Sequence, residues 1–594
     1  MNSTSQKVGQ VIATVLPGGT VPEEYWRQYQ AKRPGLALDD ESAMYALPPI
    51  VPTDLFAAAG YLARVSGLVA FFDPSPYCRD RRQCRFFLGI DDRRALDRVA
   101  EKWRESRRGA PPREVRDLWD ILRAAWDEPI TSGSYLQNGG EAPDWWVATF
   151  KLVMLADMAL NRLLRDPLSS EKYGGAVWEN IIRTMYRRPP REDGSPEPPP
   201  ASLTYLADSS VVCVLPKVRV APVGATLRNV TRNLSLLPGR GEVRCYWDLS
   251  VEAPPSEDRE TLDILLVPAP VSLSGRDFEP NIEDGCPPHE LHTYKKNWES
   301  FDLKQNWIAD DTARAGFIRD CCRLVSEAKR ESGCVNGVVL PEYALDWKLF
   351  EELCDALKEH EPKLEFVISG SSNNCYDTRG NHVLTRVWYH NADPTKHITN
   401  SRGKHHRWRM DRNQVETYAL SAALNPKIRN WWENTPLGRR EIHFQRFRKK
   451  SVFSVLICEE LARSDPCHEI LRAVAPNLIF ALLLDGPQIR NRWPAQYASN
   501  LADDPGSSVL TFTSYGLIDR SNRQGRFPAN HSIAMWKDDG GHFLEIPMPA
   551  GKGMRGVLLS LWSEHVVDMT IVGKQSEARA WRYSSHYPIC LPDA

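Results

Sequence analysis

The sequence predicts an α/β layered fold preceded by a mainly helical domain. Three observations carry this. Up to residue 190, apolar residues recur at helical spacing. A proline-rich stretch, RRPPREDGSPEPPPAS (187–202), then interrupts the chain. After residue 203, short β-rich runs alternate with helical segments, the pattern of strands layered against helices.

The helical part is read from three segments. LFAAAGYLARVSGLVAFF (55–72) is apolar with small residues. PPREVRDLWDILRAAW (111–126) opens on proline and repeats Val115, Leu118, Ile121 and Leu122 at helical spacing. DWWVATFKLVMLADMALNRLL (144–164) is interrupted by Lys151, Asp157 and Arg162, which suits a core helix and not a membrane span. The stretch after it carries six prolines among charges, which neither a helix nor an inner strand accepts. The expected organisation is a mainly helical domain over 1–190, a linker over 191–204, and an α/β domain over 205–594.

Within the α/β domain, strands are expected in 211–220, 262–270, 335–344, 363–372, 382–390, 452–460, 477–485 and 508–516. Helices are expected over 312–332 and 346–360, with a helical segment at 467–476. VVCVLPKVRVAPVGATLRNVTRNLSLLP (211–238) reads as an added pair of strands, and EAPPSEDRE (252–260) as a surface loop. Residues 531–562 read as hairpins around an Asp-Gly-Gly turn.

Composition excludes several classes. Lys+Arg number 75 and Asp+Glu 76 over 594 residues, so no global charge draws the chain to nucleic acid or an anionic membrane. The basic runs CRDRRQCR (78–85) and YRRPPRE (186–192) read as solvated surface. Thirteen scattered cysteines without a CxxC pair suit reduced thiols in the cytoplasm, and Cys78 and Cys84 lack companion metal ligands. No window reaches the roughly 20 apolar residues of a membrane span. No P-loop is present, and neither a cofactor nor a metal is expected.

Three residues lie at or just beyond apolar strands. Glu342 ends VVLPE, Lys404 sits in GKHHRWRMD, and Cys458 ends VLIC. Side chains at the ends of buried strands are held rigidly where ligands reach an α/β layer. A carboxylate can take the proton of a thiol that attacks a carbon centre. An ammonium and the backbone N–H after the cysteine can face the negative charge that develops. A thioester would follow, and water would hydrolyse it.

These segments resemble the carbon–nitrogen hydrolase, or nitrilase, superfamily. An apolar strand ending in Pro-Glu follows an Ala-containing helix in CCRLVSEAKRESGCVNGVVLPEY (321–343). Lys-x-His stands in Lys404-His405-His406, and VLICEEL carries the cysteine. The resemblance spans about 205–575. It implies a four-layer α-β-β-α sandwich with a catalytic triad of Glu342, Lys404 and Cys458. It also implies a second active-site glutamate between the lysine and the cysteine, with Glu433 and Glu441 the principal candidates beside Glu416. His406, Trp408 and Glu459 are candidate pocket residues. The resemblance departs in spacing, since Cys458 lies 54 residues after Lys404 and the insert (about 411–450) is rich in Arg, Trp and Asn.

The expected activity is thiol-dependent hydrolysis of a small-molecule amide, or of a nitrile. Arg407, Arg409, Arg412 and Arg429 suggest an acidic or carbamoyl substrate, and the aromatic NWESFDLKQNW (297–307) a pocket entrance. The family implies a homo-oligomer. The rival reading is a nitrilase-like signalling or assembly module regulated by a protein partner through residues 1–190. Its layout resembles that of large bacterial conflict-system proteins, which suggests an anti-phage defence role. Nucleic-acid binding is disfavoured by the charge balance.

Overall fold

The computed structural model describes residues 6–22, 44–78, 85–106, 109–131, 140–161, 182, 202–222, 224–239, 243–247, 259–281, 298–388, 395–448, 450–549 and 555–591. Most of the proline-rich stretch, residues 79–84 and 186–192 of the basic runs, and most of 252–260 lie outside these residues. The described cysteines are free thiols. Among the described residues no helix is long and apolar enough to cross a membrane. The chain divides into two compact units. The first comprises 1–252, 469–475 and 566–578, and the second 253–468, 476–565 and 579–594.

The first unit contains the helices read from the sequence, as Pro52–Ser66, Arg113–Ala124 and Asp144–Ala159, with Val8–Val15 and Ile90–Glu105 besides. Pro52 opens its helix at the first turn, where a missing N–H costs nothing, and Gly67 closes it with a left-handed φ of 70°. Asp144–Ala159 is buried on nearly all sides because three helices pack around it. The unit extends past the helices to an antiparallel strand pair, Val212–Pro216 with Leu234–Pro238. Two buried aspartates tie helices to this later chain. Asp54 accepts the N–H groups of Tyr205, Leu206 and Ala207, and Asp157 those of Arg232, Asn233 and Leu234. Burial pushes both carboxyls up to about 6, against the pull of those donors.

The second unit is a two-sheet sandwich. One sheet runs His397–Gly403, Arg379–Trp388, Phe366–Asn373, Gly337–Val339, Thr261–Leu266, Arg555–Met569, Gln575–Cys590. Its centre is parallel, with Gly337 opposite both Ile264 and Phe366. The other includes Phe543–Pro547, Ser532–Lys537, Ser508–Thr513, Leu478–Leu483, Ser451–Ile457 and Glu441–Arg448, parallel in its middle three strands. Buried aliphatic and aromatic side chains from both sheets, among them Leu266, Ile368, Phe453, Phe480 and Leu559, form one core between them. The opposite face of the first sheet buries Leu265, Val338 and Val367 against Asp311–Ser332 and Trp347–His360. Trp493–Asp503 packs on the second sheet. Strands buried on both faces explain the unbroken apolar runs in the sequence. The layers are therefore α-β-β-α.

The 411–450 insert is ordered into this unit. It supplies the helix Arg412–Thr417 and the strands Asn430–Glu433 and Glu441–Arg448. Asn430–Glu433 runs parallel to Trp298–Leu303 in a small sheet. The expected hairpins appear as Ser532–Lys537 with Phe543–Pro547, turned at Gly541, whose φ is 89°.

Candidate functional site

Glu342 follows the short strand Gly337–Val339 after Leu340 and Pro341. Tyr343 next to it adopts a left-handed φ of 61°, which turns the chain sharply. Gly370, on the neighbouring strand, makes room for that turn. A Cβ there would meet Glu342 Cα at 2.4 Å and Pro341 O at 2.5 Å.

Lys404 stands just past the strand His397–Gly403, with its backbone N–H on Asn381 O. Its Nζ donates to Glu342 Oε1 and to Glu433 Oε2, both at 2.8 Å. All three side chains are buried. Glu433 also accepts from Tyr343 Oη at 2.8 Å and from the Trp408 backbone N–H at 2.8 Å. Asn381 Nδ2 donates to Glu342 Oε1 and Glu433 Oε1, 2.7 Å each. The second Glu342 oxygen accepts the Leu484 N–H at 2.7 Å. The second glutamate beside the lysine is thus Glu433. Glu441 lies elsewhere, its backbone on His405 and its carboxylate 3.5 Å from His443. Glu416 is on the surface paired with Arg412.

Cys458 sits at the junction of the strand Ser451–Ile457 and a short 3-10 turn, Cys458–Ala462. Its φ of 45° is unusual for a non-glycine residue. Glu460 holds this elbow. It takes the Ile457 N–H and the His405 N–H, each at 2.9 Å, and both nitrogens of Arg402. His405, Glu460 and Cys467 bring their ligand atoms within 4.8 Å of one another. Both Glu460 oxygens are already engaged by Arg402 and backbone donors, so the group reads as a brace for the elbow.

The electrostatics follow from this burial. Desolvation raises the Glu342 carboxyl, Lys404 opposes it, and the Glu433 charge raises it further. Desolvation would lower Lys404, but Glu342, Glu433 and Cys458 outweigh it and hold the ammonium charged. Glu433 is held below the usual range because Lys404 and its hydrogen bonds overcome burial. The Cys458 thiol is pushed far up, first by burial and then by Glu342, with Lys404 pulling the other way. At neutral pH it is therefore a thiol beside a base, and needs that base to become nucleophilic.

Cys458 opens into a cavity of about 340 Å³, bounded by Trp408, Leu484, Asp485, Trp493 and Tyr497, with Gln414, Glu459, Ala462 and Arg463. Two expected pocket residues, Trp408 and Glu459, line it. His406 does not; it is half-buried, and its Nε2 has no hydrogen-bond partner among the described residues. Arg407, Arg409, Arg412, Arg429 and the 298–307 aromatics do not line it either. Sequence reasoning missed Asn381, Tyr343, Glu460 and Asp485. Tyr343 adjoins Glu342 and Glu460 adjoins Glu459, both already singled out, whereas Asn381 and Asp485 adjoin no such residue.

No family model and no curated protein matches the chain. Solved structures do. Nit3 of Saccharomyces cerevisiae, a member of branch 10 of the nitrilase superfamily, matches at 12% identity over 51% of this chain and 90% of that one, with a TM-score of 0.30. XC1258 of Xanthomonas campestris, a CN-hydrolase superfamily protein with an arsenic adduct in its active site, matches at 11% over 55% and 90%, TM-score 0.25. Glutamine-dependent NAD+ synthetase of Acinetobacter baumannii matches at 10% over 50% of this chain, TM-score 0.29, and the match spans 45% of that longer protein.

Proposed function

We propose that the second unit hydrolyses a carbon–nitrogen bond, that of an amide, through Cys458. Glu342 takes the Sγ proton as sulfur adds to the carbonyl carbon. The oxygen that becomes negative faces the Lys404 ammonium and the backbone N–H after Cys458. Glu342 then gives its proton to the departing amine, and a Cys458 thioester remains. A water molecule, deprotonated by Glu342, adds to the thioester carbon. Collapse releases the carboxylic acid and returns the proton to sulfur. Glu433 keeps Lys404 charged and positioned through both steps.

The observation that carries this reading is a buried base and a buried cation acting on a thiol that lines a cavity: Lys404 Nζ bonds Glu342 at 2.8 Å, both charges act on Cys458, and Cys458 opens into the cavity. The test is ammonia release from a panel of amides and nitriles by the full chain, together with intact-protein mass spectrometry after acid quench. An acyl adduct on wild type that is missing in Cys458→Ala supports the reading. Ammonia release undiminished in Cys458→Ala overturns it.

A further inference from the structure

Asp485 lies directly after the strand Leu478–Leu483 and Leu484, on the wall of the Cys458 cavity. One carboxylate oxygen, Oδ1, is fully engaged. It accepts from Tyr418 Oη, from Arg492 Nη2 at 2.8 Å and from the Gly486 N–H at 2.8 Å. The other, Oδ2, is buried and has no hydrogen-bond partner among the described residues. Such an oxygen costs stability unless a donor reaches it. The clamp on Oδ1 fixes the carboxylate, so the idle oxygen is a prepared acceptor.

The surroundings say what kind of donor fits. Asp485 is balanced by Arg492, and Glu459 by Arg463 at 3.0 Å. Among the residues that line the cavity, Glu459 and Asp485 are acidic and Arg463 is basic. Trp408, Trp493 and Tyr497 supply aromatic faces, which attract a cation and offer nothing to an anion. An acidic substrate, suggested by the arginines of the insert, finds none of those arginines here.

We propose that Asp485 sets substrate preference by accepting an N–H from an ammonium group carried on the acyl part of the amide. This rests on the reading of the cavity as the place of carbon–nitrogen hydrolysis. The test compares three amides of equal length: δ-aminovaleramide, hexanamide and adipamate, which end in ammonium, methyl and carboxylate. Binding to the full-length Cys458→Ala chain is measured by calorimetry or ligand-observed NMR. The expected result is that δ-aminovaleramide binds about tenfold more tightly than either of the others, the worth of one hydrogen bond to a charged group. Asp485→Asn in the same background removes the difference. Equal binding, tighter binding of hexanamide or adipamate, or no binding by any of the three overturns the proposal, whether or not the Asp485 variant folds. Ammonia release by wild type is read separately. Hydrolysis of hexanamide without an ammonium preference sinks the Asp485 inference and leaves the hydrolase reading standing. An ammonium preference in binding without any ammonia release does the reverse.

Discussion

Arg402 and Glu460 form a fully buried bidentate pair, with N–O distances of 3.0 and 2.6 Å, beneath the Cys458 elbow. The same carboxylate takes the backbone N–H groups of Ile457 and His405. One acid therefore ties the cysteine turn to the strand that delivers Lys404.

Breaking that pair leaves a buried charge without its partner. Glu460→Gln is expected to destabilise the second unit by about 3–5 kcal/mol, read from chemical unfolding. Burial would raise the Glu460 carboxyl, but Arg402 and His405 hold it down at about 2. A depressed folded pKa stabilises above the ordinary glutamate range and stops doing so as pH falls toward the folded value. The wild-type advantage over Glu460→Gln should then be full at neutral pH and shrink as the solution is taken from about 4.5 toward 2. An advantage that does not change across that interval would contradict the assignment.

Cys458→Ala and Cys458→Ser should each lose at least about a thousandfold in turnover while keeping the wild-type near-ultraviolet spectrum. Activity in either variant within tenfold of wild type would remove Cys458 from the mechanism.

The pH profile should carry an acid limb belonging to Glu342. Burial and the Glu433 charge raise this carboxyl, so the base is lost, and kcat/KM falls, at a pH above the ordinary glutamate range. In Glu433→Gln the raising charge is gone and Lys404 turns wholly to Glu342. Both changes favour the ionised base, so the limb should move to lower pH even as the rate drops. A limb that stays in place would show that Glu433 does not act on the base.

Gly370→Ala should displace the Pro341–Tyr343 turn, because its Cβ would occupy space held by Glu342 Cα. The expected outcome is a large loss of turnover with Cys458 still open to iodoacetamide at alkaline pH. Wild-type turnover in this variant would mean the backbone yields without moving the carboxylate.

The sandwich was readable because its strands are buried on both faces and so appear as long apolar runs, such as NLIFALLLD. The positions of Glu342 and Cys458 could be read for the same reason, each ending such a run, whereas Lys404 follows the polar strand His397–Gly403 and is read from its Lys-x-His pattern. The choice between Glu433 and Glu441 could not. Both adjoin aromatic or β-branched residues, and only the pairing of Asn430–Glu433 with Trp298–Leu303 puts one near Lys404. Asn381 carried no local signal, since its role comes from two carboxylates, 39 and 52 residues away in the chain. Gly370 did carry one: a glycine inside a strand pattern marks close backbone approach. The helical region was legible from its periodicity, but not the two aspartates through which its helices hold the chain beyond residue 202, because nothing in the sequence marks a buried acid as a receiver of backbone N–H groups.

The high proton affinity of the Cys458 thiol has a consequence for survival of the protein in an oxidising cell. Peroxide attacks thiolate and largely spares thiol. With burial and Glu342 keeping sulfur protonated at rest, Cys458 is shielded from oxidation to sulfenic acid between turnovers. In the proposed mechanism, the base that would take the sulfur's proton when a substrate arrives also keeps the sulfur chemically quiet while the cavity waits.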